Sequence, residues 1–136
     1  MDLNLKYCLL TVDDADKALS FYRDALGMEV RADVGSDNMR WVTVGFPGVM
    51  DGEIVLATID GNPNLSAEDK RAITELMAKG VMGFVVLGTD DVNGMFERVR
   101  AAGGEVMQEP VDQPYGVRDC AFRDPAGNIV RINTRG

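Results

Sequence analysis

The chain has 136 residues, 46% hydrophobic and 26% charged, enough for one domain that hides roughly two-thirds of its unfolded surface. A net charge of −8 and a pI near 4.4 argue against nucleic acid and anionic membranes as partners. There is no histidine, which removes the Ser-His-Asp and Cys-His triads and every His-ligated metal site.

The first strand reads KYCLLTV, and a helix follows within VDDADKALSFYRDALGMEV, with apolar residues at Ala18, Tyr22, Ala25 and Leu26. Asp13 and Asp14 stand where a carboxylate caps the helix N-terminus, and Gly27 closes the far end. Three strand-like runs come next: MEVRA, RWVTVGF and EIVLATI. Residues 60–80 read as an insertion, with a capping box from Ser66 to Asp69 and an apolar stripe of Ile73, Leu76 and Met77. A helix there is expected to pack on the body or to cover a cavity.

The pattern then repeats. GFVVLGT is a strand, and TDDVNGMFERVRAAGGEVM is a helix with Val92, Met95, Phe96 and Val99 on one face. Asp90 and Asp91 match the first pair of aspartates, and Gly104 matches Gly27 at the same separation. EVMQE, RDCAFR and NIVRIN follow, the last two joined by the hairpin turn DPAGN, which reads as a turn without catalytic content. The order β-α-β-β-β therefore occurs twice. The expected class is α+β in a single domain, with module one at about 1–60, the helical insertion at about 61–80 and module two at about 81–136. Cys8 and Cys120 fall in apolar strands and are expected to be buried free thiols. No apolar run approaches the ~18 residues of a membrane span, and MDLNLKYCLL lacks the layout of a signal peptide, so a cytoplasmic location is expected.

DADKALSFYRDALGMEV, RWVTVGFPG, DDVNGMFERVRAAGGEV and, most specifically, QPYG followed by FRDPAGN resemble the vicinal oxygen chelate superfamily. That superfamily includes glyoxalase I, extradiol dioxygenases, fosfomycin-resistance enzymes and bleomycin-resistance proteins. The resemblance covers nearly the whole chain except the insertion. It implies a curved mixed sheet around a cleft with helices on the outer face, commonly in a homodimer with clefts shared between subunits. It also implies four ligand positions for a divalent metal, usually His and Glu. Carried over one at a time, these positions fall on Tyr7, Val55, Phe84 and Arg131. That set offers no site for Mg, Mn, Fe or Zn, so no metal and no cofactor are expected.

Strand alternation supplies the lining of the cleft. Tyr7, Leu9, Thr11, Val55, Ala57, Phe84 and Val86 are expected to face it, with Asp119, Ala121 and Arg131 from the last hairpin. Trp41 and Thr43 join them if Val42 and Val44 enter the core, and Tyr115 sits on the rim. The expected ligand site is thus Tyr7, Leu9, Trp41, Thr43, Val55, Ala57, Phe84, Tyr115, Asp119 and Arg131, aromatic walls with sparse polar anchors. Bland alternatives stand beside it: Val55 and Phe84 as hydrophobic fill, Trp41 as core or dimer interface, Asp119 and Arg131 as a structural ion pair.

The leading reading is a non-catalytic protein that sequesters a hydrophobic aromatic natural product, antibiotic-like, as bleomycin-resistance proteins do. A metal-independent isomerase or cyclase using Tyr7, Glu53 or Asp119 is the alternative. A structural dimer with a closed cleft follows, and a metal-dependent glyoxalase or dioxygenase comes last.

Overall fold

In the computed structural model, which describes residues 1–36 and 39–134, the chain builds two four-stranded mixed sheets of matching topology. The first comprises β1 (Tyr7–Val12), β2 (Glu29–Val34), β3 (Trp41–Gly45) and β4 (Glu53–Thr58), in the order β1-β4-β3-β2. The second comprises β5 (Phe84–Thr89), β6 (Glu105–Asp112), β7 (Arg118–Arg123) and β8 (Ile129–Thr134), in the order β5-β8-β7-β6. In each, the first and last strands pair in parallel and the other pairs are antiparallel. The repeat read from the sequence is therefore an architectural repeat, and the class is α+β.

Helix α1 (Ala15–Leu19) is capped by Asp14, whose side chain accepts from the Asp16 and Lys17 amides. It departs from the ordinary helix that the periodicity predicts, because Ser20–Ala25 runs on as a wide π-helical turn. The Leu26 amide there reaches back to the Phe21 carbonyl, and neighbouring Phe21 and Tyr22 are both buried, their rings edge to face at 5.1 Å. Gly27, at φ +82°, ends the turn in the left-handed region as expected.

Helix α2 (Ala67–Lys79) has the capping box read from Ser66 and Asp69. It rests on the body through Met77 and Ile73, while Leu76 stays exposed, so the stripe is narrower than predicted. Helix α3 (Val92–Ala101) is capped by Asp91 and buries Val92, Phe96 and Val99. Its left-handed closing residue is Gly103, at φ +93°, and not Gly104. A side chain at Gly104 would instead meet Val99, so that glycine permits a close approach.

One contiguous core joins both modules, drawing Leu10, Val12, Val42, Val44, Ile54 and Leu56 from the first sheet and Cys120, Phe122, Val130 and Ile132 from the second. Hydrogen bonds also cross between modules. The Arg98 Nε donates to the Ala25 carbonyl at 2.9 Å, and the Asn128 Nδ2 donates to the Thr11 carbonyl at 2.9 Å. The DPAGN turn does more than reverse the chain. Buried Asp124 accepts from the Ala126 and Asn128 amides and the Asn128 side chain, and its Oδ2 accepts from the Tyr22 hydroxyl at 2.7 Å. Burial first, then the Asp124 carboxylate, push the Tyr22 phenol far above its ordinary value, so it stays a donor.

Cys120 is buried as expected, but Cys8 is exposed, on the edge strand β1 whose first three residues all lie open. Burial, followed by the neighbouring Asp119 carboxylate, pushes the Cys120 thiol up to about 11. We expect a thiol reagent to leave Cys120 unmodified in native protein and to reach it once urea unfolds the chain, as mass spectrometry of the labelled peptides will show.

Candidate functional site

The register fixes which side chains share a face. In the first sheet Leu9 pairs with Val55, Thr11 with Ala57, and Thr43 with Val55, so these residues lie opposite the core-facing Leu10, Ile54 and Val44. In the second sheet Val86 pairs with Arg131, and Arg131 with Ala121, opposite Val85, Val130 and Phe122. Each sheet thus has one face in the common core and one face turned away from it. The floor of each outer face is closed: Thr43 and Val55 in one sheet, Asp119 and Ala121 in the other, are all buried. Tyr7, Leu9 and Trp41 stand exposed above the first floor, and Phe84 and Val86 above the second.

The four positions that map onto a metal site are distributed over both faces. Tyr7 packs edge to face with Trp41, ring centroids 5.7 Å apart. Val55 is buried beneath, and Phe84 is 72% exposed. Arg131 is occupied by an ion pair. A divalent metal does not fit this set, since Val55 and Phe84 supply no donor atom and Arg131 supplies a positive charge. Among the described residues, no group of three or more His, Cys, Asp and Glu side chains is placed to hold a metal ion.

Asp119 is fully buried, and its charge is compensated locally. Its Oδ1 accepts from the Gln108 Nε2 at 2.7 Å and the Gln113 Nε2 at 2.9 Å, and its Oδ2 accepts from the Arg131 Nη1 at 3.0 Å. The same Nη1 donates to the Gln108 Oε1 at 3.3 Å. Burial acts to raise the Asp119 carboxyl, but hydrogen bonds from Gln113, Gln108 and Arg131 outweigh it and hold the group below its ordinary value of 3.8. A depressed folded-state value means stability that is complete above the ordinary value and lost as pH falls through the depressed one. We therefore expect wild type to lose more stability than Asp119→Asn between about pH 5 and pH 2, in urea titrations followed by circular dichroism.

Beside this network lies a hollow of about 440 Å³, lined by Val81, Met82, Phe84, Ile129 and Arg131 among others. Arg131 is the one charged residue in its lining, beside mostly apolar side chains, and its volume suits a small organic molecule. A hollow of about 470 Å³ between α2 and the DPAGN turn is lined by Ile59, Met77, Arg123 and Pro125 among others, and none of the expected site residues borders it.

The expected site residues separate into groups. Arg131, Asp119 and Phe84 meet at one place, and Tyr7 and Trp41 meet at another. Thr43 donates to the Glu53 carboxylate at 2.7 Å on the floor of the first sheet. Glu53 and Asp119 stand on different sheets, each with its own hydrogen-bond partners. Tyr115 is exposed on the turn before β7. Gln108 and Gln113 were not foreseen. The one available signal was an amide side chain within each of the polar-edged runs EVMQE and VDQPYG. Two register shifts in β6, around Gln108, break the period-two rule that would have placed that residue.

Two βαβββ modules of matching topology define the class of fold. The chain belongs to the Glyoxalase/Bleomycin resistance protein/Dioxygenase superfamily, whose model matches residues 4–132. The solved structure of UcmS2 superposes with a TM-score of 0.88 at 36% identity, covering 99% of this chain and 100% of that one. TnmS3, an antibiotic binding protein from Streptomyces sp. CB03234, gives a TM-score of 0.74 at 27% identity, with 99% and 98% covered. By sequence, the lactoylglutathione lyase of Haemophilus influenzae is 30% identical over 96% of this chain and 91% of its own. Among the described residues no helix is long and apolar enough to cross a membrane.

Proposed function

We propose that this protein binds and sequesters a hydrophobic, planar aromatic natural product, antibiotic-like, and releases it chemically unchanged. The observation that carries the reading is the content of the four mapped positions. Where the resemblance implies metal ligands, this chain places Tyr7, Val55, Phe84 and Arg131, and Phe84 and Arg131 border one hollow. Aromatic faces offer large area at little entropic cost, and one fixed guanidinium orients a bound ring. TnmS3, alike in fold and described as an antibiotic binding protein, supports it.

The working unit in this reading is a homodimer. Tyr7, Leu9, Trp41, Phe84 and Val86 lie exposed on faces turned away from the shared core, and a second copy placed over them completes each cleft. The protein works without a metal or cofactor, and in the cytoplasm.

A second reading, catalysis on a small organic substrate, is favoured by the likeness to lactoylglutathione lyase. One experiment separates the two. A panel of planar aromatic natural products is titrated while Trp41 fluorescence is followed, and each compound is recovered and compared with the starting material by chromatography, NMR and mass spectrometry. Saturable quenching with the compound recovered unchanged is the expected result. A new product, an isomer of the same mass included, moves the protein to the second reading, and no response across the panel ends the first.

A further inference from the structure

Arg131 is the cation of the proposed slot, yet it carries little net charge into it. Asp119, fully buried, sits 3.0 Å from its Nη1, and among the described residues no second cation shares that carboxylate. Gln108 and Gln113 fix the carboxylate from the other side, and Gln108 also accepts from the guanidinium. The guanidinium is thereby locked through Nη1, while its Nε and Nη2 make no hydrogen bond among the described residues. Its side chain is 31% exposed and borders the hollow beside Phe84. Two oriented donors are left for a ligand, backed by a compensated charge.

We infer that Asp119 is a specificity-determining residue that tunes the slot for a neutral hydrogen-bond acceptor, a ketone or quinone carbonyl on a planar ring system, over an anion. The inference rests on the slot proposed above and adds the chemistry of its polar anchor. An anionic oxygen on the free donors would lie roughly 5–6 Å from the Asp119 carboxylate, and the two like charges would repel. The chain's net charge of −8 adds a long-range term of the same sign. A carbonyl oxygen accepts the same hydrogen bonds and meets neither penalty. The locked donors also need no reordering when it arrives.

Three small molecules sharing one ring system test this: fluorene, 9-fluorenone and 9-oxofluorene-2-carboxylate, titrated against the intact protein. Fluorenone is expected to bind about tenfold or more tightly than fluorene, the advantage of a hydrogen bond to a charged donor, and the carboxylate no more tightly than fluorenone. Arg131→Met is expected to abolish the difference between fluorenone and fluorene. Asp119→Asn unmasks the guanidinium and is expected to shift the preference toward the carboxylate by about tenfold. A merely structural Asp119 would lower all three affinities together. Wild type preferring the carboxylate, or Asp119→Asn leaving the order unchanged, overturns the inference while the aromatic slot stands. Absence of binding by all three removes the slot and the inference together. The wild-type order needs no variant, so the test survives a variant that fails to fold.

Discussion

Asp124→Ala is expected to be among the most damaging single substitutions in this chain, costing about 3–5 kcal/mol of unfolding free energy. The carboxylate is buried and accepts from the Tyr22 hydroxyl, the Asn128 side chain and two backbone amides. Removing it leaves several buried donors without their partner, and each such group costs roughly 1–3 kcal/mol. The loss is more than local. Tyr22 belongs to the first module and Asp124 to the second, so their 2.7 Å bond holds the modules in one relation. Tyr22→Phe keeps the ring and removes only the hydroxyl, which predicts a smaller loss of about 1.5–3 kcal/mol. In urea titrations the double variant should fall short of the sum of the two, and strict additivity would show that the bond contributes nothing.

Phe84→Ala is expected to separate binding from folding. Phe84 is 72% exposed, so its loss should move the unfolding free energy by no more than about 0.5 kcal/mol. In the proposed complex the same ring becomes a wall of the slot. Truncating a buried aromatic anchor costs about 2 kcal/mol of binding, a roughly 30-fold rise in Kd. Titration of the bound aromatic compound against both proteins, with parallel urea melts, gives the two numbers. If affinity is unchanged, Phe84 lies outside the site. If stability falls by several kcal/mol, the ring is packed in the native assembly more deeply than in the single chain.

Much of the fold was legible because local signals agreed. Aspartate caps, three-and-four spacing and strand alternation occur twice in the same order, and each of the eight strands appears where the sequence suggests, give or take a few residues. The site was legible only in part. Alternation placed Tyr7, Val55 and Arg131 on the outer faces because β1, β4, β7 and β8 pair without interruption. It missed Gln108, because register shifts on β6 break that alternation. It also placed Cys8 in the interior, since composition cannot reveal that β1 lies at a sheet edge.

The Tyr22–Asp124 bond spans 102 positions, and nothing in either segment announces the other. An Asp in a DPAGN turn reads as turn chemistry, and a Tyr on a helix face reads as core filler. By itself, the sequence determined the module repeat and the absence of histidine, properties of residue type and spacing, while the four mapped positions follow from the family resemblance. Only the tertiary structure decided that Arg131 is held by a buried carboxylate and Gln108, with Gln113 fixing that carboxylate, and that both outer faces stand open. Those facts depend on which distant segments the core brings together, and that is settled by packing rather than by local preference.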